Sequence, residues 1–225
     1  MMKKLLVALS LLCFSMASFA VEGPAELVKR TSEDVLATVK SDKDIQAGDQ
    51  EKIFALAEEK IVPNFNFDKV SRMVLGKNWT KATPEQKTAF QTEFRTLLIR
   101  TYATALAKYR NQVIEYKPFR MVNESNIASV KTQIIQPGGQ PIAVDYSLEK
   151  QADTWKVYDI VIEGVSLVTN YRGQFAQEIR QNGMDSLIKK LTDKNKASQA
   201  KIDQAKAAKA KAAQENASAS NHTSP

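Results

Sequence analysis

Side chains that commonly carry out chemistry near neutral pH are nearly absent from this chain of 225 residues. The single cysteine, Cys13, lies within the first twenty residues, and the single histidine, His222, lies close to the C-terminus. The body of the chain therefore has neither a thiol nor an imidazole, the groups most used as nucleophile, proton shuttle and metal ligand. We predict no catalytic residue, no metal site and no cofactor, and we expect the body to bury something apolar.

Three carboxylates remain as candidates for acid–base chemistry, namely Asp145, Asp159 and Glu163. An enzyme that abstracts a proton inside an apolar pocket needs a buried carboxylate whose pKa is raised. Asp145 lies on the polar face of its predicted strand, and no carboxylate lies on the apolar face of the longest predicted helix. The sequence disfavours an enzyme, and a pocket enzyme with a buried carboxylate stays an alternative function.

The first twenty residues have the layout of a secretory signal peptide. Lys3 and Lys4 precede an apolar run over 5–14, and Ser18-Phe19-Ala20 forms a cleavage site of small residues before Val21. The apolar run is too short for a membrane anchor. We therefore divide the chain into a signal peptide (1–20), one α+β domain (21–191) and a low-complexity tail (192–225), and we expect export.

The net charge of +7 comes largely from the two ends of the chain. The tail is rich in alanine and holds six lysines against three acidic residues, whereas acidic and basic residues are interleaved in the body. A nucleic-acid-binding domain would instead carry a basic stripe on its folded part. We predict no nucleic-acid partner, and we expect the tail to form an exposed, fraying helix followed by disorder.

Helical periodicity fills the first half of the body. Apolar residues three or four positions apart predict helices over 24–40, 49–62, 66–75 and 83–110. Thr83-Pro84-Glu85-Gln86 forms a capping box at the start of the fourth helix, and this helix carries the longest apolar stripe of the chain.

The apolar period then changes to two, which predicts strands over 114–118, 127–136, 142–149 and 155–163, followed by helices over 167–181 and 184–191. This order predicts an α+β fold. We expect a four-stranded, twisted antiparallel sheet with helices packed on its concave face. The fold would be cone-like, and its interior would be either an apolar pocket or a closed core.

Candidate pocket residues lie on the apolar faces of these elements and on the segments beside them. In each case the alternative role is ordinary core packing. The long helix contributes Phe90, Phe94, Leu98, Tyr102 and Leu106; the sheet contributes Val144, Tyr146, Tyr158 and Ile160; the mouth contributes Met73, Val74 and Leu75; and the segment after the last strand contributes Val165, Leu167 and Tyr171.

Several motifs in a fixed order resemble the MlaC family, which is also called the toluene-tolerance or intermembrane phospholipid transport binding protein family. The resemblance covers about 27–191 and leaves the tail outside. The motifs are Phe67-Asp68, Leu75-Gly76-Lys77-Asn78-Trp79, Pro84-Glu85-Gln86, Phe94-Arg95-Thr96-Leu97-Leu98, Arg100-Thr101-Tyr102-Ala103, Trp155-Lys156-Val157-Tyr158-Asp159, Glu163-Gly164-Val165-Ser166-Leu167 and Asn170-Tyr171-Arg172.

This resemblance implies a soluble periplasmic phospholipid carrier of Gram-negative bacteria. Such a carrier holds acyl chains in a pocket between sheet and helices and maintains outer-membrane lipid asymmetry. The implied partners are phospholipid as cargo, an outer-membrane lipoprotein–porin complex, and an inner-membrane ABC transporter complex with its substrate-binding subunit. We expect a monomer, and a periplasmic chaperone that binds apolar protein segments is the other alternative.

Two polar residues after the last predicted strand have more than one possible role. Ser166 can cap the next helix, and the exposed N–H groups there could instead meet a phosphate. Arg172 can pair with Asp159 or Glu163, which we favour, or with a lipid head group.

Overall fold

The computed structural model describes residues 22–108, 112–121 and 125–221, so the predicted signal peptide lies outside the described residues. Helices precede and follow a sheet, as predicted for an α+β fold. The helices are α1 (Pro24–Ser41), α2 (Lys43–Gln46), α3 (Gln50–Leu56), α4 (Phe67–Leu75), α5 (Lys77–Lys81), α6 (Pro84–Tyr102), α7 (Leu167–Asn182) and α8 (Met184–Asn221). The strands are β1 (Val113–Tyr116), β2 (Ile127–Ile135), β3 (Ile142–Gln151), β4 (Thr154–Ile162) and β5 (Val165–Ser166).

The helix starts follow the predicted caps. The side chain of Asp49 accepts a hydrogen bond from the backbone N–H of Lys52, and Asn66 accepts one from Lys69. Thr83 and Gln86 exchange both hydrogen bonds of the capping box. Each cap satisfies N–H groups that the first turn of a helix leaves without a partner, which confirms these boundaries.

Two predicted helices end earlier as α-helix than their periodicity indicates. The second becomes a π-helical turn (Ala57–Ile61) and then a 3-10 turn (Val62–Asn64), since Pro63 cannot donate the next helical hydrogen bond. After Tyr102, α6 continues as a 3-10 segment (Ala103–Lys108), and residues 109–111 are not described. The tighter winding aligns residues three apart, which turns Ala103 and Leu106 towards the core beside α1 and α3.

The antiparallel sheet has five strands in the order β1-β2-β3-β4-β5, so the prediction of four strands is wrong. The additional strand, β5, follows a two-residue turn in which Glu163 and Gly164 have φ angles of 50° and 80°. Positive φ at both positions is typical of a tight hairpin turn. The turn brings Val165 back opposite Ile162, in a segment that the sequence indicated only as an exit from β4.

A β-bulge in β4 changes which side chains face the helices. The register passes from the pair Ser147–Asp159 to the pair Leu148–Val157, so Tyr158 is the extra residue. The bulge places Trp155 and Val157 on the same face of the sheet as Ile160, which strict alternation would not allow.

Three clusters of buried side chains form the core. One joins α4, α6, α7 and α8 and contains the stacked and edge-on rings of Phe90, Phe94, Tyr171 and Phe175. The second packs Leu27 and Val28 of α1 against β2, β3 and β4. The third joins α1, α2 and α3 to the end of α6.

Helix α8 extends through the predicted domain end at Leu191 without a break. Asn195 is buried, and its amide donates hydrogen bonds to the carbonyl of Glu93 at 2.9 Å and to its carboxylate at 2.7 Å. Arg100 donates in turn to the carbonyl of Asn195 and to Gln199, each at 2.6 Å. Within the described ranges, none of the helices is long and apolar enough to cross a membrane.

These contacts predict that the tail has two parts with different effects on stability. The side chains described from Ala205 to Ala212 are exposed, as is the Lys206–Glu51 ion pair, so deleting 205–225 should change the free energy of unfolding by less than about 1 kcal/mol. Deleting 192–225 also removes Asn195 and leaves Arg100 without its acceptors, which should cost roughly 2 kcal/mol or more. Urea denaturation followed by circular dichroism measures both values. Equal stability of the two truncated proteins would contradict this assignment.

Candidate apolar ligand site

The helix-facing side of the sheet is largely apolar, with the buried Thr132 in its middle, and is covered at only one end. At the covered end, Ala128, Leu148 and Val157 lie opposite one another and are buried with α1. The strand ends at the other side form what we call the open end. Its residues share this face and are half-buried or exposed: Ile114, Ile134, Ile142, Ile162 and Val165, the last 55% exposed.

An apolar cavity lies between α4, α6, β4 and the start of α7. The space inside it is about 30 Å³, and about 330 Å³ when the open space at its mouth is counted. All but one of its lining residues are apolar: Phe65, Phe67, Val70, Phe94, Leu98, Tyr158, Asp159, Ile160, Leu167 and Val168. Such a surface suits the hydrocarbon part of a ligand and offers little to a polar one.

Two walls of the cavity lead towards the open end. On α6, Tyr102 follows Leu98 by one turn and is 36% exposed. On β4, Ile162 follows Ile160 on the same face of the sheet. The cavity and the open end therefore lie along one apolar surface, which an elongated apolar ligand could follow.

Two tyrosine hydroxyls among the predicted pocket residues have raised pKa values and hydrogen-bond partners. Burial raises the pKa of Tyr146 to about 12, and its hydroxyl is hydrogen-bonded to Thr132 and Ser32. Burial also raises the pKa of Tyr171, whose hydroxyl is hydrogen-bonded to Tyr102 and Thr101. These hydroxyls add polar contacts without adding charge at physiological pH.

Asp159, the acidic residue of the cavity lining, is engaged at the start of α7. It accepts hydrogen bonds from the Ser166 hydroxyl at 2.6 Å and from the backbone N–H of Val168 at 3.1 Å. Ser166 caps the helix by accepting from Thr169, as predicted. Asp159 is thus occupied as a helix-capping group, which leaves the alternative of a pocket enzyme without a free carboxylate among the cavity-lining residues that the structure describes.

The ion pair predicted for Arg172 is not formed with either proposed partner. Asp159 binds Ser166 and Val168 instead, and Glu163 accepts the backbone N–H of Ala143. The guanidinium of Arg172 lies against Gly76, where a Cβ atom would stand 3.2 Å from Nη2. Gly76 has a φ angle of 53°, so both its conformation and this close approach favour glycine.

The structure brings five of the predicted pocket residues together at the cavity: Phe94, Leu98, Tyr158, Ile160 and Leu167. Most of the others lie in or against the core, namely Met73, Val74, Leu75, Phe90 and Tyr171 among the helices, Val144 and Tyr146 on the sheet, and Leu106 beside α1 and α3. Val165 is exposed at the open end, and Tyr102 is 36% exposed at the end of α6.

Sequence reasoning missed the aromatic wall that Phe65 and Phe67 provide. Their rings lie 5.7 Å apart in the connection before and at the start of α4. This connection is fixed to the sheet, because the backbone N–H of Asn66 donates to the carbonyl of Val157 at 2.9 Å. The side chain of Glu149 also accepts hydrogen bonds from Asn66 and Lys69. Phe65 lies in a predicted connection and Phe67 at the start of the predicted helix over 66–75, and these two aromatic residues were the available signal.

Val70 and Val168 were also missed, since each is one of several apolar positions on a short helical stripe. Both line the cavity and both also belong to the helical core. The same side chain therefore contributes to the core and to the cavity wall, and spacing along the chain does not separate these roles.

An α+β domain with an apolar cavity between its sheet and its helices belongs, by its construction, to the class of domains that can enclose apolar ligands. The match to a protein family is more specific. Residues 29–193 match the family model described as MlaC protein, and the chain belongs to this family.

Two relatives and one solved structure agree with this family. The chain is 28% identical over 176 residues to toluene tolerance protein ttg2D of Pseudomonas putida, covering 78% of this chain and 81% of that protein. It is 29% identical over 194 residues to the intermembrane phospholipid transport system binding protein MlaC of Haemophilus influenzae, covering 81% and 90%. A phospholipid-binding protein from Ralstonia solanacearum, solved in complex with a phospholipid, superposes with a TM-score of 0.72 at 42% identity, covering 76% of this chain and 96% of that one.

Proposed function

We propose that this protein is a periplasmic phospholipid carrier that encloses acyl chains in the cavity and along the apolar surface leading to the open end. The observation that carries the proposal is the position of this cavity between helices and sheet. The similar Ralstonia solanacearum protein, which is described as a complex with a phospholipid, supports it. The signal-peptide layout of the first twenty residues supports export.

The size of the cavity sets a condition on loading. The space inside the cavity is about 30 Å³, far below the roughly 300 Å³ of a small-molecule pocket. Two acyl chains need more room than this, so the walls formed by α6 and β4 must separate as lipid enters. The half-buried and exposed residues of the open end provide the adjoining apolar surface for the additional length of chain.

The physical chemistry of acyl chains explains why such a carrier needs partners. Each buried CH₂ group contributes about 0.8 kcal/mol relative to water, so lipid is held strongly against loss into solution. Transfer from the cavity to another apolar site is nearly neutral, because both environments are apolar. Release therefore occurs by docking on a membrane complex, and the chain has no phosphate-binding loop of its own for ATP.

The partners in this proposal are an outer-membrane lipoprotein–porin complex and an inner-membrane ABC transporter complex with its substrate-binding subunit. Exchange of lipid with both would maintain the lipid asymmetry of the outer membrane. The name of the Haemophilus influenzae relative, which includes an intermembrane phospholipid transport system, supports this part of the proposal.

Native mass spectrometry of the purified, folded protein tests the proposal. We expect a mass increase equal to that of a phospholipid, and we expect the bound species to exchange when the protein meets vesicles of a phospholipid with a different acyl length. Protein that is empty after purification and stays empty beside vesicles and beside its partner complexes would refute the carrier function.

A further inference from the structure

A polar groove on the outside of the helical layer lies next to the apolar cavity. It is formed by the start of α4 and the middle of α6, and its empty volume, open solvent included, is about 600 Å³. Its lining residues are Phe67, Asp68, Thr88, Gln91, Thr92 and Arg95. Phe67 lines both the groove and the cavity, so one aromatic side chain separates a polar recess from the proposed acyl-chain site.

Arg95 has an enclosed hydrogen-bond donor without an acceptor. Its Nε atom is buried from solvent and has no hydrogen-bond partner. Oε1 of Glu58 lies 3.7 Å from Nε, so the two side chains form an ion pair, but this distance is too long for a hydrogen bond. Buried donors without partners are rare in proteins and call for a physical reason. Because 41% of the Arg95 side chain is exposed, a ligand can reach its guanidinium from the groove.

Lys69, another cation near the cavity, is already engaged. Lys69 donates a hydrogen bond to Glu149, and its ammonium lies 3.9 Å from the centre of the Tyr158 ring. The open end of the sheet carries only aliphatic residues on its helix-facing side. Of the residues that line the groove, Arg95 is the cation, so it is the side chain there that can receive an anionic group.

We propose that Arg95 binds the phosphate of the phospholipid head group while the acyl chains pass Phe67 into the cavity. This assignment rests on the proposed carrier function. The planar guanidinium presents parallel N–H donors that match two phosphate oxygens, and a charge-assisted pair of this kind is stronger than a neutral hydrogen bond. The phosphate would replace the Glu58 carboxylate as the nearest anion, and the guanidinium would have to turn its buried Nε towards the groove to use both donors.

The test compares two lipids that differ only in the head group. Wild-type protein and Arg95→Gln are equilibrated with vesicles containing phosphatidylethanolamine and diacylglycerol with the same acyl chains, and native mass spectrometry measures the ratio of the two bound lipids. Losing the charge-assisted contact should lower the ratio of phospholipid to diacylglycerol by about tenfold. Arg95→Lys keeps the positive charge but loses the planar guanidinium with its parallel N–H donors, so it should give an intermediate ratio.

A matched control is Lys131→Gln, which removes a positive charge from the exposed polar face of β2 and should leave the ratio unchanged. Circular dichroism verifies that each variant is folded. If Arg95→Gln does not fold, Arg95→Lys is compared with the wild-type protein instead. An unchanged ratio, or an equal loss of both lipids, would overturn the role of Arg95 and leave the carrier function intact. Wild-type protein that binds neither lipid would instead refute the carrier function.

Discussion

Leu98→Asp should abolish the retention of phospholipid while the protein remains folded. Leu98 lines the cavity from α6, opposite the residues that β4 contributes. A carboxylate at this position would have to lose its hydration against an acyl chain, and no cation is among the residues that line the cavity, so this costs several kcal/mol. Because Leu98 is only partly buried, the empty protein can hydrate the carboxylate through the mouth. Native mass spectrometry after vesicle equilibration should show an empty protein.

Ile127→Asp is the matched control, since Ile127 is 48% exposed at the start of β2 and lies away from the cavity. It introduces the same charge in place of an aliphatic side chain and should leave lipid retention unchanged. Leu98→Trp is a second test that adds no charge: it fills part of the cavity and should lower retention. Folded Leu98→Asp protein with wild-type lipid content would show that Leu98 does not line the acyl-chain site.

The sequence predicted best the elements whose local signals and packing agree. The capping box at Thr83 and the apolar stripe through Phe90, Phe94 and Leu97 define α6, and the structure buries all three apolar residues. Alternation in 142–149 likewise predicts β3, whose Val144 and Leu148 are buried. In these segments, every helical turn of α6 and every residue pair of β3 favours the same secondary structure, so the pattern is not ambiguous.

The features that the sequence did not predict depend on contacts between distant segments. The bulge at Tyr158 is a feature of the pairing between β3 and β4, and nothing in the alternation of β4 alone indicates it. The two-residue strand β5 requires positive φ angles at Glu163 and Gly164, and a glutamate gives little indication of such a conformation. Composition also indicated a solvated tail from residue 192, whereas Asn195 is buried through hydrogen bonds to Glu93 on α6.

The same limit applies to separating the cavity wall from the core. Phe90 and Phe94 occupy equivalent positions one turn apart on α6, and their rings stack with centroids 5.4 Å apart. Only Phe94 also lines the cavity. The difference arises from what lies opposite each ring, namely α7 for Phe90 and both α7 and the cavity for Phe94. A periodic pattern assigns both residues to the apolar face and contains no information about the empty space beyond it.

Phe90→Ala should therefore give one of the largest losses of stability in this protein with little change in the preference for lipid. Phe90 is 0% exposed and meets Phe175 edge-on, with ring centroids 5.7 Å apart. Truncating a buried phenylalanine removes its transfer free energy and leaves a void, which together cost about 3–5 kcal/mol. This is a large share of the roughly 5–15 kcal/mol that stabilises a typical domain. Urea denaturation should show a lower midpoint with an unchanged slope.

Phe94→Ala is the informative comparison, because it removes the same ring one turn further along α6. It should lower stability to a similar degree and, in addition, enlarge the cavity, so its bound lipids should shift towards bulkier acyl chains in native mass spectra. Phe90→Ala leaves the cavity lining intact and should keep the wild-type distribution of acyl chains. If both variants shifted this distribution equally, the division of α6 into a core segment and a cavity wall would be wrong. If neither did, the acyl chains would not contact Phe94.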